Sequence, residues 1–190
     1  MLSENITKWI VMQAELSEGN EVIIRYGLKR IKMLITDMIF TMVMGILLGV
    51  FIESILFHVS FVLLRLVAGG YHSPTEKKCK IDSAIITFLS IIVLKYIYFN
   101  NIIMSCSFIL FINFIIIRES PIESGNKPLS PNERRVNHNK VIIILIIQDI
   151  VLIVFMIHER HSLFNAIYVS QLVVVILIIV EILRKSYSKG

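Results

Sequence analysis

The chain has 190 residues, a formal net charge of +5 at pH 7 and a hydrophobic share of 56%, with a mean hydropathy of +0.78. Soluble domains lie near about 45–50% apolar, and the excess here sits in long runs, which excludes an ordinary soluble domain and predicts a single membrane-embedded domain over 1–190. Two cysteines exclude a disulfide framework, and a positive balance on such a chain points to cytoplasmic loops rather than to nucleic acid.

Residues 3–30 are amphipathic. Ile6, Trp9 and Ile10 alternate with Glu4, Lys8 and Glu15 at roughly helical spacing. Trp9 suits an interfacial anchor, so 1–30 reads either as a segment lying along the membrane surface on the cytoplasmic side or as a solvated cytoplasmic helix pair. Its interleaved charges do not make the continuous apolar core of a cleavable signal peptide. Gly19-Asn20 predicts a break, followed by a short helix from Glu21 to Arg30.

Six apolar segments follow: Ile31–Phe51, Ser54–Gly69, Ile81–Phe99, Ile102–Ile117, Val141–Ile157 and Ala166–Leu183. A spanning helix needs about 20 residues, within a range of about 17–25. The segments therefore predict an all-α, polytopic membrane protein of about six transmembrane helices. Glu53 and Asn100-Asn101 mark tight turns between spans. With the N-terminus inside, sixteen of the nineteen Lys and Arg residues fall in cytoplasmic pieces; Arg160 falls outside, and Arg65 and Lys95 fall within spans. That bias places both termini in the cytoplasm. The long polar loop from Arg118 to Lys140 carries Pro121, Gly125, Pro128 and Pro131 and ends basic, at Arg134-Arg135. It reads either as a solvated loop or as a docking surface for an acidic peptide.

The stretch Arg65-Leu-Val-Ala-Gly-Gly-Tyr-His-Ser-Pro-Thr-Glu-Lys-Lys-Cys79 lies between two apolar runs. His72 and Cys79 are the minimum equipment of a thiol nucleophile and its base. Ser73-Pro74-Thr75-Glu76 predicts a helix start with Ser73 as N-cap, Pro74 at the first helical position and Glu76 closing a capping box. The preceding helix should end at Gly69-Gly70. In an unbroken helix His72 and Cys79 would stand ~10.5 Å apart along the axis, too far for proton transfer at about 3 Å; the break lets the chain fold back. Cationic neighbours, Lys77, Lys78 and Lys80, suit a thiolate. Arg65, charged within an apolar segment, is either a functional group or a side chain that snorkels to the interface. Cys106 reads as a small buried residue. His58 lies within a span, and His158 and His161 lie in an outside loop. Histidines split between the two faces predict no metal site. Asp37, Asn113, Gln148, Asp149 and Gln171 within the spans predict interhelical hydrogen bonds.

The pattern Arg65-x4-Gly70-x-His72-x6-Cys79 resembles the signature of the AgrB family, the accessory gene regulator membrane endopeptidases of Gram-positive bacteria. Pro121-Ile-Glu-x-x-Asn-Lys-Pro128 resembles a second block of that family. The resemblance implies a cysteine endopeptidase of the cell membrane, with no cofactor, that cleaves a small AgrD-like quorum-sensing precursor. Cleavage would pass through a thioester and promote closure of a thiolactone or lactone ring. In that reading Cys79 is the nucleophile, His72 its base, and Arg65 and Gly70 support the site. Lys77, Lys78, Arg134 and Arg135 would bind the precursor's acidic tail. Glu76, Asp82 and Gln148 are candidates for an orienting third member, and a homodimer is left open. The rival reading is a transporter or exporter of a small peptide, supported by the polar residues within spans. Such a protein should carry paired broken helices at mid-bilayer, whereas the singular residues here lie at the cytoplasmic edge. A non-catalytic partner of a sensor kinase is a third.

Overall fold

The computed structural model describes residues 18–71, 75–97, 102–123 and 129–187. Among them the chain is all-helical, with six helices: α1 (Glu18–Leu48), α2 (Phe51–Ala68), α3 (Glu76–Tyr96), α4 (Ile102–Glu119), α5 (Pro131–Ile157) and α6 (His161–Tyr187). Four are long and apolar enough to cross a membrane: Gly27–Leu48 within α1, α2, α5 and α6. The interfacial reading of Trp9 and its neighbours falls outside the described residues.

Several helix boundaries differ from those the sequence predicts. α1 is a single helix of 31 residues. Gly19-Asn20 lies inside it, and Glu21–Arg30 runs into the apolar segment without a stop. No proline interrupts this stretch, and its Lys, Arg, Leu and Met residues are good helix formers, so a change in polarity alone does not end the helix. The turn to α2 falls at Gly49-Val50, where Gly49 has φ +73° and Val50 N–H donates to the Gly45 carbonyl at 2.9 Å. Glu53 is thus not the turn but part of the first turn of α2, where a carboxylate suits the positive end of the helix dipole. α5 starts at Pro131, ten residues before its apolar run. Ser130 accepts from Glu133 N–H at 3.3 Å, and the Glu133 carboxylate accepts from Ser130 N–H at 2.9 Å. This reciprocal cap converts the basic end of the expected loop into helix.

The chain divides between Phe40 and Thr41 into two compact units. The described part of the first is the opening of α1, where the side chains described between residues 24 and 40 are exposed or half-exposed. The second holds the last turns of α1 and helices α2 to α6. Within it Thr41 and His58 are buried and bond through Thr41 Oγ1 and His58 Nδ1 at 3.0 Å. That bond gives His58 a structural partner far along α2 from Arg65.

α6 is the axis of this second unit and packs against α2, α3, α4 and α5. Its middle, Phe164 to Gln171, is buried on every side. Ala166 and Ser170 are small enough to let neighbouring backbones approach. Phe57, Leu64, Ile112, Ile116, Leu145 and Leu152 fill the space around it. The outer faces carry Ile143, Ile146, Ile147 and Ile150 on α5 and Leu110, Phe111 and Phe114 on α4, all exposed. An aqueous protein would not show such faces; lipid covers them without cost. The chain is a helical membrane protein.

Candidate active site

α2 ends where its sequence turns from leucines to Gly69-Gly70. Gly69 adopts φ +73° and Gly70 φ +113°, a region that L side chains rarely enter. The extended residues that follow are fixed by distant parts of the chain. Gly69 pairs in parallel with Ile122, whose N–H donates to the Ala68 carbonyl at 2.9 Å. A Cβ at Gly69 would run into the Ile122 carbonyl. Tyr71 N–H donates to the Leu177 carbonyl of α6 at 3.1 Å. The two sequence blocks that carry the family resemblance, about fifty residues apart, therefore meet at the C-terminal end of α2.

Arg65 does not simply snorkel. Half-buried on the last turn of α2, it curls forward and donates from Nη2 to the Tyr71 carbonyl. Its guanidinium fills the space beside Gly70, where a Cβ would lie 2.5 Å from Nη1. The spacing Arg65-x4-Gly70 thus has a steric reason: the glycine makes room for the arginine that holds the next residue. Arg65 and Gly70 shape the backbone leading into His72. His72 itself lies outside the described residues.

α3 begins at Glu76, and its N-cap is Thr75, whose Oγ1 accepts from Lys78 N–H at 3.3 Å. The expected cap was Ser73; Ser73 and Pro74 lie outside the described residues, and the cap that is described stands two residues later. Cys79 N–H donates to the Thr75 carbonyl at 2.9 Å, so the cysteine sits at the helix start. Its thiol is free and half-buried. Lys77, Lys78 and Lys80 are exposed around it, and Asp82 is half-buried. Glu76 is the first residue of the helix. Gln148, the third orienting candidate, is committed elsewhere: its amide donates to the Ser60 carbonyl at 2.9 Å and accepts from Gln171 at 3.2 Å.

Arg134 and Arg135 lie on the exposed opening turns of α5. Arg134 is 4.0 Å from the Glu123 carboxylate, with its side chain 64% exposed. Lys185 Nζ donates to the Glu123 carbonyl at 2.6 Å, and His138 Nδ1 lies 3.0 Å from the Ser120 carbonyl.

The end of α6 is a part of this junction that the sequence did not single out. Arg184 stands over the Tyr71 ring at 5.6 Å, within cation–π range. It also pairs at 3.5 Å with Glu181, which is buried at 5% exposure. A carboxylate inside an apolar run, three residues before a basic pair, was the available signal. The histidines singled out in the outside loop, His158 and His161, are exposed. Among the described residues no cluster of His, Cys, Asp and Glu could hold a metal ion.

Fold and site together define a helical membrane protein with a free thiol at the start of one helix among exposed lysines and, at the end of the preceding helix, a junction of three chain segments. The chain belongs to the Accessory gene regulator B (AgrB) family, whose model matches residues 3–180. Two relatives in Clostridium perfringens, from strain 13 and strain SM101, are 26% identical over 144 and 142 residues. In each case the match covers 70% of this chain and 66% of the relative's length. A relative in Clostridium acetobutylicum is 28% identical over 113 residues, 59% of this chain and 54% of its own. All three are named only as AgrB-like. No solved structure matches the chain. Membership supports a place in the agr quorum-sensing system.

Proposed function

We propose that this chain is a membrane cysteine endopeptidase that cleaves a small quorum-sensing precursor peptide and passes the product on as a thioester. Cys79 gives its proton to His72, and the thiolate attacks the carbonyl carbon of one peptide bond. The C–N bond breaks, and the C-terminal part leaves as an amine that takes the proton from His72. The N-terminal part stays on Cys79. An internal thiol or hydroxyl of the precursor then attacks the thioester carbonyl. Its proton returns to the Cys79 sulfur, and a thiolactone or lactone macrocycle is released. Water must be kept from the thioester, which a site at the membrane surface favours. In this reading the chain forms one membrane-embedded domain of six spans, with both termini and Cys79 facing the cytoplasm. Lys77, Lys78, Arg134 and Arg135 receive the acidic tail of the precursor.

The observation that carries the reading is the pairing of Gly69 with Ile122. It joins the two blocks of family-like sequence at the segment leading to His72, with a free, half-exposed thiol at the start of the following helix. The test is co-expression with a tagged precursor. Cys79→Ala is expected to insert at normal levels and to leave the precursor uncut, while Cys106→Ala still cuts. Processing by Cys79→Ala at the unaltered rate would reject the peptidase and leave the peptide exporter as the better reading.

A further inference from the structure

Glu181 is a carboxylate buried near the end of an apolar helix, immediately past the stretch that the family model matches. It lies one turn along α6 from Leu177, and residues four apart share a helix face. The Leu177 carbonyl accepts from Tyr71 N–H at 3.1 Å, and a Cβ at Gly70 would lie 3.4 Å from the Leu177 carbonyl carbon. Three residues after Glu181, Arg184 brings Nη1 to 3.5 Å from Glu181 Oε2, and its guanidinium lies over the Tyr71 ring at 5.6 Å. The last turns of α6 thus meet Tyr71 twice, backbone to backbone at Leu177 and cation to ring at Arg184.

Stability does not account for the ion pair. An exposed pair contributes little, and burying one of its charges costs desolvation that an apolar pair of similar size avoids. Nor does Arg184 need an acidic neighbour to lie where it does, since a cation in the last turn of a helix suits the negative end of the dipole. What the carboxylate adds is direction. The Arg184 side chain is 48% exposed, and a long side chain at such a site has many rotamers. An anchor on the buried side restricts it to those that cover Tyr71.

We infer that Glu181 is a positioning residue for the thiol chemistry: its carboxylate holds Arg184 against Tyr71 and so fixes the backbone that leads into His72. The inference rests on the peptidase reading for its consequence and on the contacts of Tyr71 for its geometry. Glu181 acts through Arg184 and the Tyr71 ring, as Arg65 acts through the Tyr71 carbonyl.

The test uses the full-length protein in liposomes, with the tagged precursor supplied over a range of concentration. Amide exchange of residues 69–71 is followed without precursor. Glu181→Gln removes the charge and keeps the shape. It is expected to lower the maximal rate about 5- to 20-fold at unchanged apparent affinity, to leave alkylation of Cys79 at the parental rate, and to speed exchange at Tyr71 several-fold. Glu181→Leu combined with Arg184→Leu removes both charges. Its thermal midpoint should equal or exceed that of Glu181→Gln, yet its rate should stay low, because no guanidinium holds the ring. Arg184→Lys should cleave faster than Arg184→Leu, since an ammonium can still face both the carboxylate and the ring. A rate that recovers together with the midpoint in the double variant would make the pair merely structural and overturn the inference. Parental cleavage and parental exchange in Glu181→Gln would do the same. If Glu181→Gln does not fold, the double variant carries the test. A parent that cuts no faster than Cys79→Ala rejects the peptidase reading and the catalytic consequence with it, whereas the exchange comparison still decides whether Glu181 fixes Tyr71.

Discussion

Gly69, Gly70 and Tyr71 are held by three other parts of the chain: the Ile122 backbone, the Leu177 carbonyl and the Arg65 side chain. Four residues beyond Tyr71, the bonds described for Thr75 to Cys79 are internal to the start of α3, and Lys77, Lys78 and Lys80 project outward, exposed. The motif is thus clamped on the side before His72 and open on the side of the thiol. The proposed peptidase would make use of such an arrangement. Its base has to arrive from a fixed direction, while its nucleophile needs an accessible face. The contrast also assigns different work to residues of one signature. Arg65 and Gly70 act on backbone geometry, whereas the lysines add charge to a surface.

The sharpest way to break the clamped side is Gly70→Ala. The new Cβ meets the Arg65 guanidinium and the backbone holds φ +113°, so strain of about 1–3 kcal/mol is expected. Thermal unfolding should register that loss, and precursor cleavage should fall below detection. A variant with unchanged midpoint and activity would show that the junction tolerates a side chain and that the clamp is not needed.

A smaller effect separates the two sides directly. Arg65→Ala is expected to slow cleavage by roughly 10- to 100-fold through misplacement of the segment leading to His72. Alkylation of Cys79 by iodoacetamide should continue at the wild-type rate, because α3 keeps its own cap. Arg65→Lys should recover part of the activity, since an ammonium can donate to the Tyr71 carbonyl but lacks the planar fork. A parallel loss of alkylation would mean that the two sides move as one.

The smallest effect belongs to the open, charged side. Exposed ion contacts contribute about 0.2–1 kcal/mol each. Replacing Arg134 and Arg135 together with alanine should therefore weaken apparent precursor affinity by roughly 2- to 30-fold with little change in maximal rate. Part of the Arg134 charge already faces Glu123, which favours the low end. The difference from wild type should narrow as salt rises, because screening weakens the same contacts in the parent. Loss of maximal rate at unchanged affinity would assign these arginines to folding or chemistry.

Two stretches share one local pattern, Ser-Pro-x-Glu, and differ in outcome. Ser130-Pro131-Asn132-Glu133 forms a reciprocal cap within a stretch whose composition predicts a loop. Ser73-Pro74-Thr75-Glu76 predicts a cap at Ser73, a residue outside the described ones, and the helix described there opens at Glu76 behind Thr75. Composition and spacing mark residues able to cap a helix; packing decides which of them do. The predicted apolar segment Ile102–Ile117 matches α4 almost to the residue, whereas α1 runs through a change of polarity that predicts a boundary.

Sequence by itself determined the helical membrane character, because apolar runs of spanning length have few other folds open to them. It also determined the Arg65-to-Cys79 signature and the end of α2 at the glycine pair, since only glycine enters those backbone regions cheaply. Tertiary structure decided which residues surround that signature. Ile122 and Leu177 join it through backbone hydrogen bonds, which any residue can make and no side-chain pattern announces. Glu181 and Arg184 join it because α6 is the axis of the second unit and brings its last turns to Tyr71. Periodicity marks one face of a helix as buried, but it does not say which distant segment will lie against it.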